Sequence, residues 1–371
     1  MSVSINGTGG ITFADASTQS TGGYTGFRNR IINGAMMIDQ RNAGASVTRT
    51  NGSYTLDRWA YFQSQASKFT AQQNAGSVTP PVGFTKYLGF TSSSAYSVVS
   101  GDYFAFQQSI EGFNVADLGW GTANAKTVTL SFWARSSLTG QFGGSLKNLA
   151  TSANRSYAFS YTISSANTWE YKTITIAGDT SGSWATDNSC GLCVCFDLGT
   201  ETTYLGAAGS WAGSNYLGAT GDTKVVATNG ATFYITGVQL EKGSTATPFE
   251  FRPYGTELAL CQRYYEVMSE PFGAGRVNGS PAPRFFARFT VQKRATPTCT
   301  GVGSFSCSDM YTVDTQQSAA QGASIINHIT TSGLVFGFNS STLSSPSAFT
   351  SGAMAFNLYN NGAVVTASSE L

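Results

Sequence analysis

The chain has 371 residues, a formal net charge of +1, and charged side chains at only 11% of positions, against roughly a quarter in ordinary globular proteins. That balance excludes nucleic acid and anionic membrane as electrostatic partners, and the length suggests two domains with a modest tail. With 42 glycines, 13% aromatic residues and few runs of helix formers, an all-β chain is expected.

Residues 1–26 alternate weakly, Val3 with Ile5 and Ile11 with Phe13, and are interrupted by Gly9, Gly10, Gly22 and Gly23. They hold too little apolar surface to order themselves. This stretch therefore reads as an extended attachment segment pairing with other chains or an adaptor, with a disordered leader as the alternative. MSVSINGTGG has neither a basic start nor an apolar core, so no secretory signal is expected. No apolar run reaches the roughly 20 residues of a membrane span. Folding in a cytoplasm without membrane insertion is the corresponding expectation.

Residues 27–254 carry repeated short alternating runs. In TVTLSFWARS, Val128, Leu130, Phe132 and Ala134 form one face and Thr129, Ser131, Trp133 and Arg135 the other; in YKTITIAG, Ile174 and Ile176 oppose Thr173 and Thr175. Short strands separated by Gly, Ser and Asn turns predict an antiparallel two-sheet sandwich. Trp120, Trp133, Trp169, Trp184, Trp211 and Tyr216 are the candidate rings for a sugar face, set against the common alternative that a Trp in a sandwich belongs to its core. Trp133 lies on the polar-parity face, Trp184 in a Gly/Ser/Asp loop, and Trp211 and Tyr216 in GSWAGSNYLG.

The run CGLCVC at Cys190–Cys195 is tempting as a metal site. Strand alternation places Cys190 with Leu192, Val194, Phe196 and Leu198, and turns Cys193 and Cys195 to the other face. Three thiols divided between faces cannot converge on one ion, so free buried thiols and no metal are expected. Cys299 and Cys307 flank a Gly-rich turn and could face each other across a hairpin. The single histidine, His328, has no nucleophile motif beside it, and no metal-protease, hydrolase, P-loop or calcium-loop motif is present. No cofactor is implied. Two-carboxylate glycosidase chemistry survives on composition, but Asp179, Asp187, Asp197 and Glu201 read as turn-forming acids.

Further on, Phe233 and Ile235 share a strand face and Val238 and Leu240 take over with opposite parity, so Gly237 marks a β-bulge. Pro248 and Pro253 keep the exit extended. A helix is predicted next, with Thr256 as N-cap and Glu257 in the first turn. Its stripe, Leu258, Cys261, Tyr265 and Met268, is spaced as in a coiled coil. The segments are thus 27–254 sandwich, 255–269 helical neck and 270–371 a second small β unit. In that last unit RFFARFTVQ alternates Phe285, Ala287, Phe289 and Val291 against Arg284, Arg288 and Gln292, and Asn361-Gly362 signals a type I′ hairpin.

The whole stretch FYITGVQLEKGSTATPFEFRPYGTELALCQRYYE, Phe233 to Glu266, resembles the junction between the sugar-binding-like jelly roll and the neck of bacteriophage tail-fibre proteins. FRNRIINGAMMIDQRNAG and YTLDRWAYF resemble the opening of that jelly roll, ITFADASTQST an attachment peptide, and KRATPT and the closing ASSEL a C-terminal tip. The resemblance implies an antiparallel jelly-roll sandwich resembling carbohydrate-binding modules, followed by a short helical neck and a β tip. It also implies a homotrimeric fibre subunit in the virion, made in the host cytoplasm and joined to the tail or an adaptor through its N-terminus. Such a subunit recognises a host-surface glycan or protein without catalysis. The tip loops, such as 339–351, are the first expectation for recognition, and the jelly-roll aromatics the second. A structural collar, head fibre or decoration protein is the alternative function. A polysaccharide depolymerase ranks below it, because the repeats of a parallel β-helix are missing.

Overall fold

A computed structural model describes residues 26–149 and 154–268, then 274–277, 283–302, 305–309, 317–319, 324–327, 329–338, 354–360 and 364–371, with three short strands near the start. His328 and residues 339–351 lie outside the described residues. The fold is all-β and, apart from a short parallel pair of Leu205–Gly206 with Gly218–Ala219, antiparallel, a jelly-roll sandwich followed by one short α-helix and further small sheets.

One face of the sandwich is a six-stranded sheet, in spatial order Glu170–Ile176, Val128–Ser136, Thr232–Lys242, Leu88–Ser92, Phe69–Gln73 and Val47–Thr48. The other is seven-stranded, in the order Trp211–Ala212, Ser156–Ile163, Gly140–Lys147, Cys190–Asp197, Phe104–Glu111, Trp59–Gln63 and Ser53–Leu56. Alternation along each strand sends Phe69, Phe90, Phe104, Phe106, Phe132, Phe196 and Phe233 into one shared core. Phe106 and Phe196 stack there with centroids 5.2 Å apart, and burying each such ring is worth about 2–3 kcal/mol.

The bulge lies where the parity change places it. Pairing between Val128–Ser136 and Thr232–Lys242 slips between Ser131 and Trp133, and Gly237 takes φ +63°. The extra residue lets Phe233 and Ile235 on one side of it, and Val238 and Leu240 on the other, all reach the core.

The helix differs from its sequence reading. It spans Tyr254–Gln262 with Pro253, not Thr256, at the N-cap; Glu257 does sit in the first turn. Tyr265 and Met268 are not on it. They belong to the strand Tyr265–Met268, which pairs with Val364–Ser368, so a partner far along the chain overrides a local helical period. Cys261 is fully buried inside its own chain with Ile32, Ile38 and Tyr264, and Leu258 packs beside them. The four residues expected as a continuous intermolecular stripe are therefore split between two elements.

After the helix, Tyr265–Met268, Val364–Ser368 and Thr298–Val302 form a three-stranded sheet, and seven more strands form another. Ala287 and Phe289 are buried and Phe286 and Arg288 exposed, as their alternation requires. Asn361-Gly362 lies outside the described residues, and the strands on either side of it, Met354–Asn360 and Val364–Ser368, fall in different sheets. Cys299 and Cys307 likewise lie on strands of different sheets, and Cys299 is a free thiol. The segment 1–26 contributes Ser4–Asn6, Gly10–Thr12 and Thr18–Gln19, which in the single chain pair with one another.

KRATPT and ASSEL meet at a clasp on the sandwich. Arg41 pairs with Glu370 at 2.7 Å, and the almost fully buried Arg58 pairs with the same carboxylate while stacking on Tyr264 at 3.5 Å. Arg294 donates to the carbonyls of Asn188, Ser369 and Glu370. Lys293 buries its ammonium against Glu266 and the Gln262 carbonyl. These are charged hydrogen bonds in low dielectric, where an unpaired member is costly.

Candidate binding site

On the outward face of the six-stranded sheet, Thr129, Ser131 and Trp133 alternate with core residues, and each is registered against Thr175, Thr173 and Tyr171 of the edge strand. The Trp133 and Tyr171 rings stand 5.3 Å apart at 49°, and Tyr171 is 44% exposed. They face an open groove of about 850 Å³ whose floor is these threonines and Ser131. A floor of hydroxyls beside two rings offers hydrogen-bonding partners and a flat apolar face together.

One wall is a cluster of three phenylalanines. Phe84, Phe249 and Phe251 pack with centroids 4.8–5.2 Å apart. Pro248 and the loop 244–247 continue the wall. Two buried side chains of outward parity hold that loop down. Glu241 accepts from the Thr247 backbone N–H and hydroxyl, each at 2.8 Å, and Gln239 accepts from the Glu250 N–H at 2.8 Å. Gly237 lies under the junction of wall and floor. A Cβ there would meet Phe84 Cζ at 2.6 Å and Trp133 Cδ1 at 3.2 Å, so the bulge shapes the groove as well as the core.

Of the six aromatic candidates, Trp133 alone lines this groove. Trp120 is a core residue, only 8% exposed, which corrects its reading as a ligand ring. It packs edge-on with Trp184 and Trp211, all three pairs of centroids 4.9–5.4 Å apart. Each indole N–H is spent on a backbone carbonyl: Trp120 on Lys126 at 2.7 Å, Trp184 on Ser181 at 3.1 Å and Trp211 on Ala177 at 2.7 Å. These three rings tie loops together. Trp169 packs on Tyr87 and donates to the Thr79 carbonyl at 2.9 Å. The Tyr216 backbone is held by Ser145 and Ser156. Tyr171, Phe84, Phe249 and Phe251 were missed by sequence reasoning. The alternation of Phe249 and Phe251 around Glu250 was a usable signal; the pairing of Tyr171 with Trp133 needed the strand order.

The thiols need one correction. Pairing slips between Cys190 and Leu192, and this second bulge turns Cys190 away from the core-facing Leu192 towards Cys193, with Ser109 hydrogen-bonding near both. The strict face division was wrong for Cys190. Burial pushes all three thiols up, Cys195 to about 12, so none is poised as a thiolate.

The four acids do not share a cleft. Asp179 is buried in a bidentate pair with Arg155, at 2.6 and 2.8 Å. Asp187 accepts from Ser189 in an exposed turn, which lowers its carboxyl, and Glu201 faces Lys224 at 3.4 Å. Asp197 instead meets Asp222 under the loop following its strand. A Cβ on Gly218 would sit 2.7 Å from Asp197 Oδ2 and 2.9 Å from Asp222 Oδ2. Burial, then Asp197, pushes Asp222 up to about 7, and burial raises Asp197 too. Both are at most 4% exposed, sealed from any polymer.

No protein-family model and no curated protein matches the chain. Among solved structures it is similar to the enzymatically active domain of tailspike protein 4 of bacteriophage CBA120, at 14% identity and TM-score 0.30, over 53% of this chain and 21% of that one. It is also similar to a family 11 carbohydrate-binding module from Clostridium thermocellum, solved with a β-1,3-1,4-mixed-linked tetrasaccharide (13% identity, TM-score 0.26, 53% and 96% covered). A third is the CBM22-1 xylan-binding domain from Paenibacillus barcinonensis Xyn10C (8% identity, TM-score 0.29, 56% and 99% covered). This chain thus spans about a fifth of the tailspike structure. Because all three TM-scores fall below 0.5, the reading of the groove rests on its own residues.

Proposed function

We propose that the chain is a subunit of a phage fibre that binds a host-surface glycan along the Trp133–Tyr171 groove, without a catalytic step. The observation carrying this reading is an open trough with two adjacent rings on one side and a row of hydroxyls beneath them. The C–H face of a pyranose is apolar and its edge is hydroxyls, so such a trough matches both at once. The Phe84, Phe249 and Phe251 wall excludes water from one flank, strengthening each polar contact. The virion role is supported by the tail-fibre resemblance of Phe233 to Glu266. A single groove open at the surface gives modest affinity, and a homotrimer would multiply it through effective concentration.

The test is binding of purified protein to an array of host-surface polysaccharides, followed by Trp133→Ala and Tyr171→Ala. Each variant should weaken binding about tenfold or more, in line with aromatic contributions of roughly 1–3 kcal/mol per stacked ring, with the unfolding midpoint little changed. Full binding by both variants would place recognition elsewhere, in the tip. Release of reducing sugar would instead show a depolymerase.

The alternative of a purely structural virion protein is favoured by one observation. Phe27, Phe251 and Tyr254 are 47%, 58% and 59% exposed, as expected of a face that packs on a neighbouring subunit. Antibodies to the sandwich that fail to block adsorption would select that reading.

A further inference from the structure

We infer that the opposite sheet carries a second, independent site, for a carboxylate-bearing sugar residue held by Lys147. Outward residues of the seven-stranded sheet floor a cavity of about 330 Å³ on the side away from the groove, near the lower end of the ~300–1,000 Å³ typical of ligand sites. Lys147 lies in it at 5% exposure. A lysine is almost never so buried unless paired, because its ammonium loses hydration. Among the described residues the ammonium makes one hydrogen bond, to Asn215 Oδ1 at 3.2 Å. Among the described residues no carboxylate comes within 4 Å of it, unlike Lys172, Lys224, Lys242 and Lys293.

The rest of the cavity suits a sugar ring carrying the missing anion. Gln107 lies at the wall, only 7% exposed, and offers both a donor and an acceptor. Tyr103 and Tyr204 meet edge-on, with centroids 5.5 Å apart, and Phe62 continues the aromatic side. Two ammonium hydrogens remain for the two oxygens of a carboxylate, the rings offer a face to the pyranose, and Gln107 and Asn215 can bond ring hydroxyls. A neutral sugar would leave the lysine unpaired. A uronic acid residue of an acidic surface polysaccharide is the chemistry that completes the site.

Calorimetric titration at low salt tests this with methyl β-D-glucuronide, methyl β-D-glucoside and inorganic phosphate. The pair of glycosides differs in the carboxylate alone. The glucuronide should bind at least tenfold more tightly than the glucoside and than phosphate. Lys147→Gln should weaken it at least tenfold, as expected for a charge-assisted hydrogen bond in a poorly hydrated site. Lys147→Arg should retain most of it, and Trp133→Ala should leave it unchanged, which separates this site from the groove. Equal affinity for the two glycosides, no saturation by the glucuronide at 10 mM, phosphate binding as tightly as the glucuronide, or indifference to Lys147→Gln would each overturn the proposal. If Lys147→Gln fails to fold, competition between the glucuronide and the glucoside on the native chain still decides it.

Discussion

Asp222→Asn tests the electrostatic account of the sandwich most sharply. Asp222 titrates at about 7 in the folded chain against an ordinary 3.8, because burial and then Asp197 disfavour its charged form. A raised carboxyl means the native state holds a proton that the unfolded chain has already released. Stability therefore falls with rising pH between the unfolded and folded values. At about 1.4 kcal/mol for each pH unit of that gap, the raised carboxyl costs the fold a few kcal/mol at pH 8 and about half of that or less at pH 5. Wild type should lose about 3 kcal/mol across that interval. Asn cannot ionise. Its oxygen can still accept from the Ala219 N–H, now 2.7 Å from Asp222 Oδ2. Loss of the acceptor for Gln141, at 3.1 Å, costs about 1 kcal/mol. Near parity at pH 5 and a gain of about 3 kcal/mol at pH 8 are expected. Urea unfolding at the two pH values measures both. A variant with the wild-type pH dependence, or one weaker than wild type at pH 8, would refute the reasoning.

Gly237→Ala should lower stability by about 1–3 kcal/mol, because it combines φ +63° with a Cβ 2.6 Å from Phe84 Cζ; glycan affinity should fall with it, since Phe84 and Trp133 must move. Glu370→Gln leaves the buried Arg58 without its carboxylate and should cost about 3–5 kcal/mol, read as a drop in the unfolding midpoint and faster proteolysis after residue 294; unchanged proteolysis would mean that the clasp holds little. Light scattering at micromolar concentration should report a trimer, and a monomer would remove the homotrimer from the proposal.

Much of the sandwich was legible because its information is local. The alternation of Val128 to Ala134 names the buried face whatever strand lies beside it. Gly237 could be read as a bulge because hydrophobic parity on either side of one residue cannot agree without an extra residue. Cys190 shows where that logic stops: nothing in CGLCVC announces the second bulge, which depends on how Phe104–Glu111 registers against it. The helix is the same lesson at longer range. The spacing of Leu258, Cys261, Tyr265 and Met268 suits a helix, yet Val364–Ser368, almost a hundred residues later, pairs in antiparallel register with all four residues of Tyr265–Met268. Nor could the hairpin signal at Asn361-Gly362 reveal that its two flanks join different sheets.

Sequence alone determined the all-β class, the inward and outward faces of strands such as Val128–Ser136, and Trp133 as an outward ring. Tertiary structure decided which rings meet. Trp120, Trp184 and Trp211 looked like three separate candidates, and pack as one structural cluster because their loops converge. Trp133 acquired Tyr171 through strand pairing, and its wall of phenylalanines through the return of residues 244–251 across the sheet to meet Phe84. A side chain's face follows from the two-residue period of its own strand, whereas its neighbours follow from strand order and loop closure, which join residues a hundred positions apart and leave no periodic trace in the chain.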